Sequence, residues 1–139
     1  MDKVTQILNE ADTLFDFRPV LESIGFDKEV DIFFAFMNKE TGNCYETEAI
    51  PPSQSKRNSA LNPNNIYDSV LAFLNKALTQ FPELEEALNE ALGLPKEGEK
   101  EVEIRVVSKK ENNKVKQEFV LGWPIYCCPC PWRPGCCWC

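Results

Sequence analysis

Residues 101–107 read Glu-Val-Glu-Ile-Arg-Val-Val, and this stretch decides the class of fold. Val102, Ile104 and Val106 alternate with charged residues, which is typical of a strand with one buried face and one solvent-exposed face. Two adjacent asparagines then provide a tight turn, after which residues 115–121 return as the partner strand. The pattern predicts a β-hairpin over residues 101–121.

Four stretches upstream have apolar side chains three and four positions apart, the spacing that forms one face of a helix. They are residues 2–16, 20–24, 66–81 and 82–92. Asn64 or Asn65 can cap the third stretch, and the fourth begins at a proline and ends at Gly93. Because the second stretch is very short, the sequence predicts three or four helices.

Residues 29–37 change to the two-residue period of a strand, and a turn that contains Gly42 leads to a return strand at residues 44–50. Cys44 lies in this return strand, where we expect a half-buried side chain. Prolines and polar residues predict a loop at residues 51–65. Two β-hairpins with three or four helices make an α+β fold.

The last seventeen residues differ from everything before them. They read Trp123-Pro-Ile-Tyr-Cys-Cys-Pro-Cys-Pro-Trp-Arg-Pro-Gly-Cys-Cys-Trp-Cys139, and they contain six of the seven cysteines and all three tryptophans. Their four prolines oppose regular structure. We therefore predict an α+β leader or carrier domain at residues 1–121, followed by an irregular Cys/Pro-rich C-terminal tail at residues 122–139.

The composition excludes several classes of function. The net charge of −7 argues against a nucleic-acid partner, because phosphate binding requires clustered Lys and Arg. The absence of histidine excludes His-based nucleophile pairs and mixed Cys/His zinc sites, and we expect no enzymatic activity. No signal-peptide pattern and no apolar run of ~20 residues is present, so we expect a cytoplasmic chain without a membrane span. Its tail cysteines should begin as thiols.

Residues 81–84 (Phe-Pro-Glu-Leu) and 91–95 (Ala-Leu-Gly-Leu-Pro), followed by the strand at 101–107, resemble the leader module of nitrile-hydratase-type peptide precursors. In that family a helix ends in a Leu-Gly pair, passes through a Leu-Pro-Glu-Gly-like bend and enters a strand of alternating Val and Glu. A variable core peptide then follows. The resemblance covers about residues 66–130, and it implies a ribosomally made precursor whose C-terminal residues are chemically modified.

The tail offers thiols for chemistry but contains no Ser or Thr, so lanthionine rings have no partner within it. Disulfides, cyclisation onto the backbone and sulfur-to-carbon crosslinks remain, and six cysteines allow fifteen disulfide pairings among which sequence cannot select. The expected modification or crosslink sites are Cys127, Cys128, Cys130, Cys136, Cys137 and Cys139.

The leading hypothesis is therefore the precursor of a ribosomally synthesised, post-translationally modified peptide. The folded leader presents the cysteine-rich core to modification enzymes, and a peptidase or exporter then acts on it. Gly122 is the possible cleavage position, and the processed peptide can be secreted while the precursor is cytoplasmic. This hypothesis requires no cofactor.

Two other classes of function fit the same residues. Soft thiolates bind Zn or Cu, and a cytosolic metal-binding protein would use the tail as its site. Its ligands would be Cys127, Cys130, Cys136 and Cys139. Alternatively, a small acidic protein can act as an inhibitor or immunity factor that covers a basic surface on another protein. In that case the tail would be a structural element crosslinked by disulfides or by a bound metal ion.

Overall fold

The computed structural model describes residues 2–14, 18–27, 30–52, 66–94, 100–112, 114–125, 127–129 and 136–138. Over these residues the chain forms four helices and six strands. In chain order they are α1 (Lys3–Leu14), α2 (Arg18–Ser23), β1 (Phe33–Asn38), β2 (Cys44–Glu46), α3 (Ile66–Gln80), α4 (Glu83–Leu92), β3 (Lys100–Lys109), β4 (Val115–Ile125), β5 (Cys127–Pro129) and β6 (Cys136–Trp138).

Strands β1 to β4 form one antiparallel sheet in the order β2-β1-β3-β4. The two predicted hairpins are β1–β2 and β3–β4, and the pairing of β1 with β3 joins them at the centre of the sheet. Phe36 lies opposite Ile104 in this central pair. The prediction of an α+β fold with three or four helices and two hairpins is confirmed for the described part of the chain, which has four helices.

The helices pack on one face of the sheet and enclose the hydrophobic core. Because side chains alternate along a strand, Phe34 and Phe36 share the face that the helices cover, and both are fully buried. The ring of Phe34 stacks on that of Phe73 in α3, with 5.8 Å between centroids. Burial of one such ring contributes about 1.5–3 kcal/mol, so this contact is a main link between the two layers.

The turn between β1 and β2 holds the C-terminal end of α4. Gly93 ends the helix in the left-handed region at φ 63°, a conformation that glycine adopts at little cost. The side-chain amides of Asn38 and Asn43 both donate to the carbonyl of Leu92, at 3.1 and 3.3 Å. Terminal carbonyls of a helix lack partners within the helix. The hairpin therefore supplies the donors that fix α4 against the sheet.

Arg18, the first residue of α2, joins three separate segments. Its guanidinium donates to the backbone carbonyls of Val30 at 2.6 Å and Ile50 at 2.9 Å. It also forms an ion pair with the buried carboxylate of Asp12 in α1, at 3.4 Å. Because a buried carboxylate is costly without a positive partner, this arrangement ties α1 and α2 to the edges of the first hairpin.

The other face of the sheet carries charged pairs around apolar residues. Arg105 in β3 lies between Glu103, at 2.8 Å, and Glu118, at 3.5 Å. The hydrogen bond to Glu103 is the main cause that raises the pKa of Arg105. Lys109 pairs with Glu46 and lies 4.3 Å above the ring of Phe33.

Some expectations about the strands are wrong. Cys44 is exposed rather than half-buried, because β2 is a three-residue edge strand and Cys44 lies opposite Met37 on the face away from the helices. The return strand ends at Glu46, with a single further bridge between Ile32 and Ile50. The predicted N-cap, Asn64 or Asn65, lies outside the described residues, as does most of the predicted loop at 51–65.

Candidate functional site

The strand that leads into the tail is longer than the sequence pattern indicates. β4 continues past residue 121 to Ile125, which lies opposite Lys100 of β3. Gly122 is consequently inside the strand, opposite Glu103, and is half-buried. Regular sheet pairing therefore extends to within two positions of Cys127, and the base of the tail is held by the body of the protein.

The tail itself contains a short antiparallel pair of strands, β5 and β6. Their register places Cys127 opposite Trp138, Cys128 opposite Cys137, and Pro129 opposite Cys136. These six residues are paired in the structure, while the prediction of an irregular tail as a whole stays a prediction. Residues 130–135, which connect them, lie outside the described residues.

The register divides the described tail cysteines between the two faces of the hairpin. Successive positions in a strand alternate between faces, so Cys128 and Cys137 share one face. Cys127 and Cys136 share the other face, together with Pro129 and Trp138. Two pairs of cysteines therefore result, one directly opposed and one diagonal.

The separations within the two pairs differ in a way that matters for sulfur chemistry. The Cα atoms of directly opposed residues in antiparallel strands are about 4.5–5.5 Å apart, whereas diagonal neighbours are about 7–8 Å apart. A disulfide requires a Cα separation of about 4.4–6.8 Å. The directly opposed pair satisfies this requirement, and the diagonal pair does not.

The structure brings together four of the six predicted modification sites: Cys127, Cys128, Cys136 and Cys137. The other two, Cys130 and Cys139, lie outside the described residues. Of the four predicted metal ligands, the hairpin places Cys127 and Cys136 on one face. Within the part of the chain that the structure describes, no group of three or more His, Cys, Asp or Glu residues could hold a metal ion.

A polar cluster at the start of α1 has no counterpart in the sequence patterns. The Asp2 carboxylate accepts a hydrogen bond from the Thr5 backbone N–H at 2.8 Å, and the Thr5 hydroxyl accepts one from the Glu48 backbone at 3.0 Å. Tyr45 lies beside them. Its hydroxyl has no well-formed hydrogen bond among the described residues, yet it is close enough to Asp2 to affect the pKa of both groups.

The titration behaviour of this cluster follows from burial and from the hydrogen bonds. Burial and then the neighbouring Asp2 carboxylate raise the pKa of Tyr45, so its phenol stays neutral. Partial burial alone would raise the pKa of Asp2, but the interactions with Tyr45 and Thr5 together lower it below its usual value. The ionised Asp2 carboxylate therefore caps the start of α1, and the hydrogen bond from the Glu48 backbone N–H to the Thr5 hydroxyl attaches that end of the helix to the segment after β2.

No protein-family model, no curated protein and no solved structure matches this chain. The resemblance to nitrile-hydratase-type leaders accordingly stays a prediction. Among the helices that the structure describes, none has the length and apolar character required to cross a membrane.

Proposed function

We propose that this chain is the precursor of a ribosomally synthesised, post-translationally modified peptide, with residues 1–121 as leader and residues 122–139 as core. The main support for this proposal is the distribution of cysteine along the chain. Six of the seven cysteines lie within residues 127–139, whereas the body has the exposed Cys44 alone. A folded body that needs no cysteine for its core, joined to a thiol-rich hairpin, suits a substrate whose two parts are recognised and modified separately.

The proposed recognition surface for modification enzymes is the helical region at residues 66–92 together with the hairpin at 101–121. α4 presents exposed carboxylates at Glu83, Glu86 and Glu90, which can meet a basic enzyme surface. β4 lies at an edge of the four-stranded sheet and runs directly towards the tail. An edge strand carries backbone groups to which a partner can add a strand, so binding there would position the core close to the enzyme.

Leader removal at Gly122 would require a local opening. Residues 122–125 pair with residues 100–103 of β3, and a peptidase needs its substrate segment released from such pairing. In this proposal the final four residues of β4 separate from β3 before cleavage. Cleavage then follows modification of the tail, while the rest of the body stays folded.

Mass spectrometry of the chain purified from its native host tests the proposal. We expect a mass change confined to residues 127–139, and the peptide that contains Cys44 serves as the internal control. An intact, unmodified tail that carries stoichiometric zinc or copper would reject the precursor in favour of metal storage. An intact tail with neither modification nor metal would reject both.

Thiolate metal binding is the second candidate, because Cys127 and Cys136 share a face of the tail hairpin. These two residues would supply half of the predicted ligand set, and Cys130 and Cys139 the other half. Zinc titration of the reduced chain, monitored by competition with a chromophoric chelator, measures this directly. Replacement of Cys127 and Cys136 by Ser should abolish binding, whereas replacement of Cys128 and Cys137 should leave it unchanged.

A further inference from the structure

We infer that Cys128 and Cys137 form a disulfide within the tail. The inference deepens the proposed function and rests on it in treating the tail as the segment that becomes crosslinked. The pairing itself follows from the register of β5 with β6. That register fixes one bond, and with it the fifteen complete pairings that the sequence allows are reduced to three.

The positions of Cys128 and Cys137 favour a disulfide between them. Cys128 and Cys137 are directly opposite each other and share one face of the hairpin. Their Cα separation, about 4.5–5.5 Å for opposed residues, falls within the range of about 4.4–6.8 Å that a disulfide spans. The backbone therefore requires little adjustment when the bond forms.

The competing pairs of cysteines lack this geometry. Cys127 and Cys136 share the other face but lie on a diagonal, at about 7–8 Å between Cα atoms. Cys127 with Cys137, or Cys128 with Cys136, would join opposite faces, and such pairs cannot be bridged without backbone movement. Among the four cysteines of the described hairpin, one combination alone meets the geometric requirement.

A low-molecular-weight disulfide serves as the oxidant in the formation of this bond. The thiolate of one cysteine attacks a sulfur of that disulfide, forms a mixed disulfide and releases one thiolate. The thiolate of the opposed cysteine then attacks the protein sulfur of the mixed disulfide and releases the second. The two cysteines lose two protons and two electrons in total, and the small disulfide is reduced to two thiols.

The crosslink would leave Cys127 and Cys136 available on the opposite face of the hairpin. It would also fix the register between β5 and β6, since a covalent bond at one opposed pair prevents the two strands from slipping. A second modification, or a metal, could then use the remaining thiols in a preset arrangement. The Cys128–Cys137 bond would thus reduce the number of products that the remaining cysteines can give.

The test compares two-cysteine variants of the full chain. In the first, Cys44 and the tail cysteines other than Cys128 and Cys137 are replaced by Ser. In the matched control, Cys127 and Cys136 are the pair retained. Each pair is separated by nine positions in the chain, so the entropy of ring closure is the same and the register alone differs.

The readout is the effective concentration of each pair in a glutathione redox buffer, from the fraction oxidised at equilibrium. We expect a value for the Cys128–Cys137 variant at least about tenfold above that of the control, because the strand register already opposes its two residues. Equal values, or a higher value for the control, would overturn the pairing.

Failure of the pairing and failure of the proposed function are distinguishable, because the redox measurement uses purified protein without any enzyme. If the Cys128–Cys137 pair is preferred but the native tail is never modified, the disulfide proposal is supported and the precursor proposal is rejected. If neither pair is preferred but the native tail is modified, only the disulfide proposal is rejected.

Discussion

Replacement of Phe34 by alanine should strongly destabilise the body, because this residue joins the sheet to the helices. Its side chain is fully buried and stacks on two further rings, those of Phe73 at 5.8 Å and Phe36 at 6.3 Å. Phe→Ala substitutions in a core cost about 3–5 kcal/mol, and the lost ring contacts favour the middle of that range. We expect Phe34→Ala to lower the free energy of unfolding by about 4 kcal/mol.

Phe33 provides the matched control because it is the neighbouring residue in the same strand. It occupies the other face of the sheet, is only partly buried, and has Lys109 above its ring at 4.3 Å. An exposed cation–π contact contributes about 0.5–1 kcal/mol. We therefore expect Phe33→Ala to lower the free energy of unfolding by about 1–2 kcal/mol. Both variants replace Phe by Ala in the same strand, so the change in strand propensity is the same in each.

Urea unfolding of the reduced full-length chain, followed by circular dichroism, measures both variants. With a denaturant dependence of about 1–3 kcal/mol per molar urea, the midpoint of Phe34→Ala should fall about 1 M or more below that of Phe33→Ala. Equal losses for the two variants would refute the assignment of the two sheet faces. A larger loss for Phe33→Ala would refute the location of the core.

Three further substitutions test other contacts of the body. Arg18→Met should lower the free energy of unfolding by about 3 kcal/mol, because it removes a positive charge that pairs with the buried Asp12 carboxylate. Gly93→Ala should cost about 1–2 kcal/mol, because a side chain at φ 63° is strained and its Cβ would lie 3.0 Å from the Asn43 amide nitrogen. Asp2→Asn should reduce the fall in the free energy of unfolding as the pH is lowered below about 4. The pKa of Asp2 is lowered in the folded state, so its stabilisation is present above about pH 4 and is lost as pH falls through the folded pKa.

Each of these three has its own control. Adding Asp12→Asn to Arg18→Met should recover part of the lost stability, and no recovery would argue against the ion pair. Gly42 has φ 79°, and no atom of the described residues beyond its chain neighbours lies within 4 Å of the position that a Cβ would occupy there, so Gly42→Ala should cost less than Gly93→Ala. An Asp2→Asn variant with the acid profile of the wild type would contradict the lowered pKa.

Local sequence patterns predict most of the body because its elements have regular periods. Ile104 and its apolar neighbours two positions away mark β3, and the spacing of Leu84, Leu88 and Leu92 marks the buried face of α4. Those patterns do not state which strands are neighbours. The central pair opposes Phe36 to Ile104, residues far apart in the chain, and this pairing arises from packing that no local window contains.

The errors have equally specific causes. Gly122 resembles the end of a strand in the sequence because glycine weakens strands, but β3 extends to Lys100 and supplies partners as far as Ile125. The exposure of Cys44 depends on β2 being an edge strand, which is a property of the whole sheet. The opposition of Cys128 to Cys137 could not be predicted, because a six-residue connection does not set hairpin register as a two-residue turn does.

The central claim is a division of labour between a self-sufficient body and a tail that exists for chemistry at sulfur. The most direct measurement counts alkylated cysteines by mass in the purified native chain, first folded and then unfolded in urea. We predict that every tail cysteine either reacts rapidly in the folded chain or already carries a crosslink, a metal or a modification. Six unmodified, metal-free tail thiols that react only after unfolding would contradict the account.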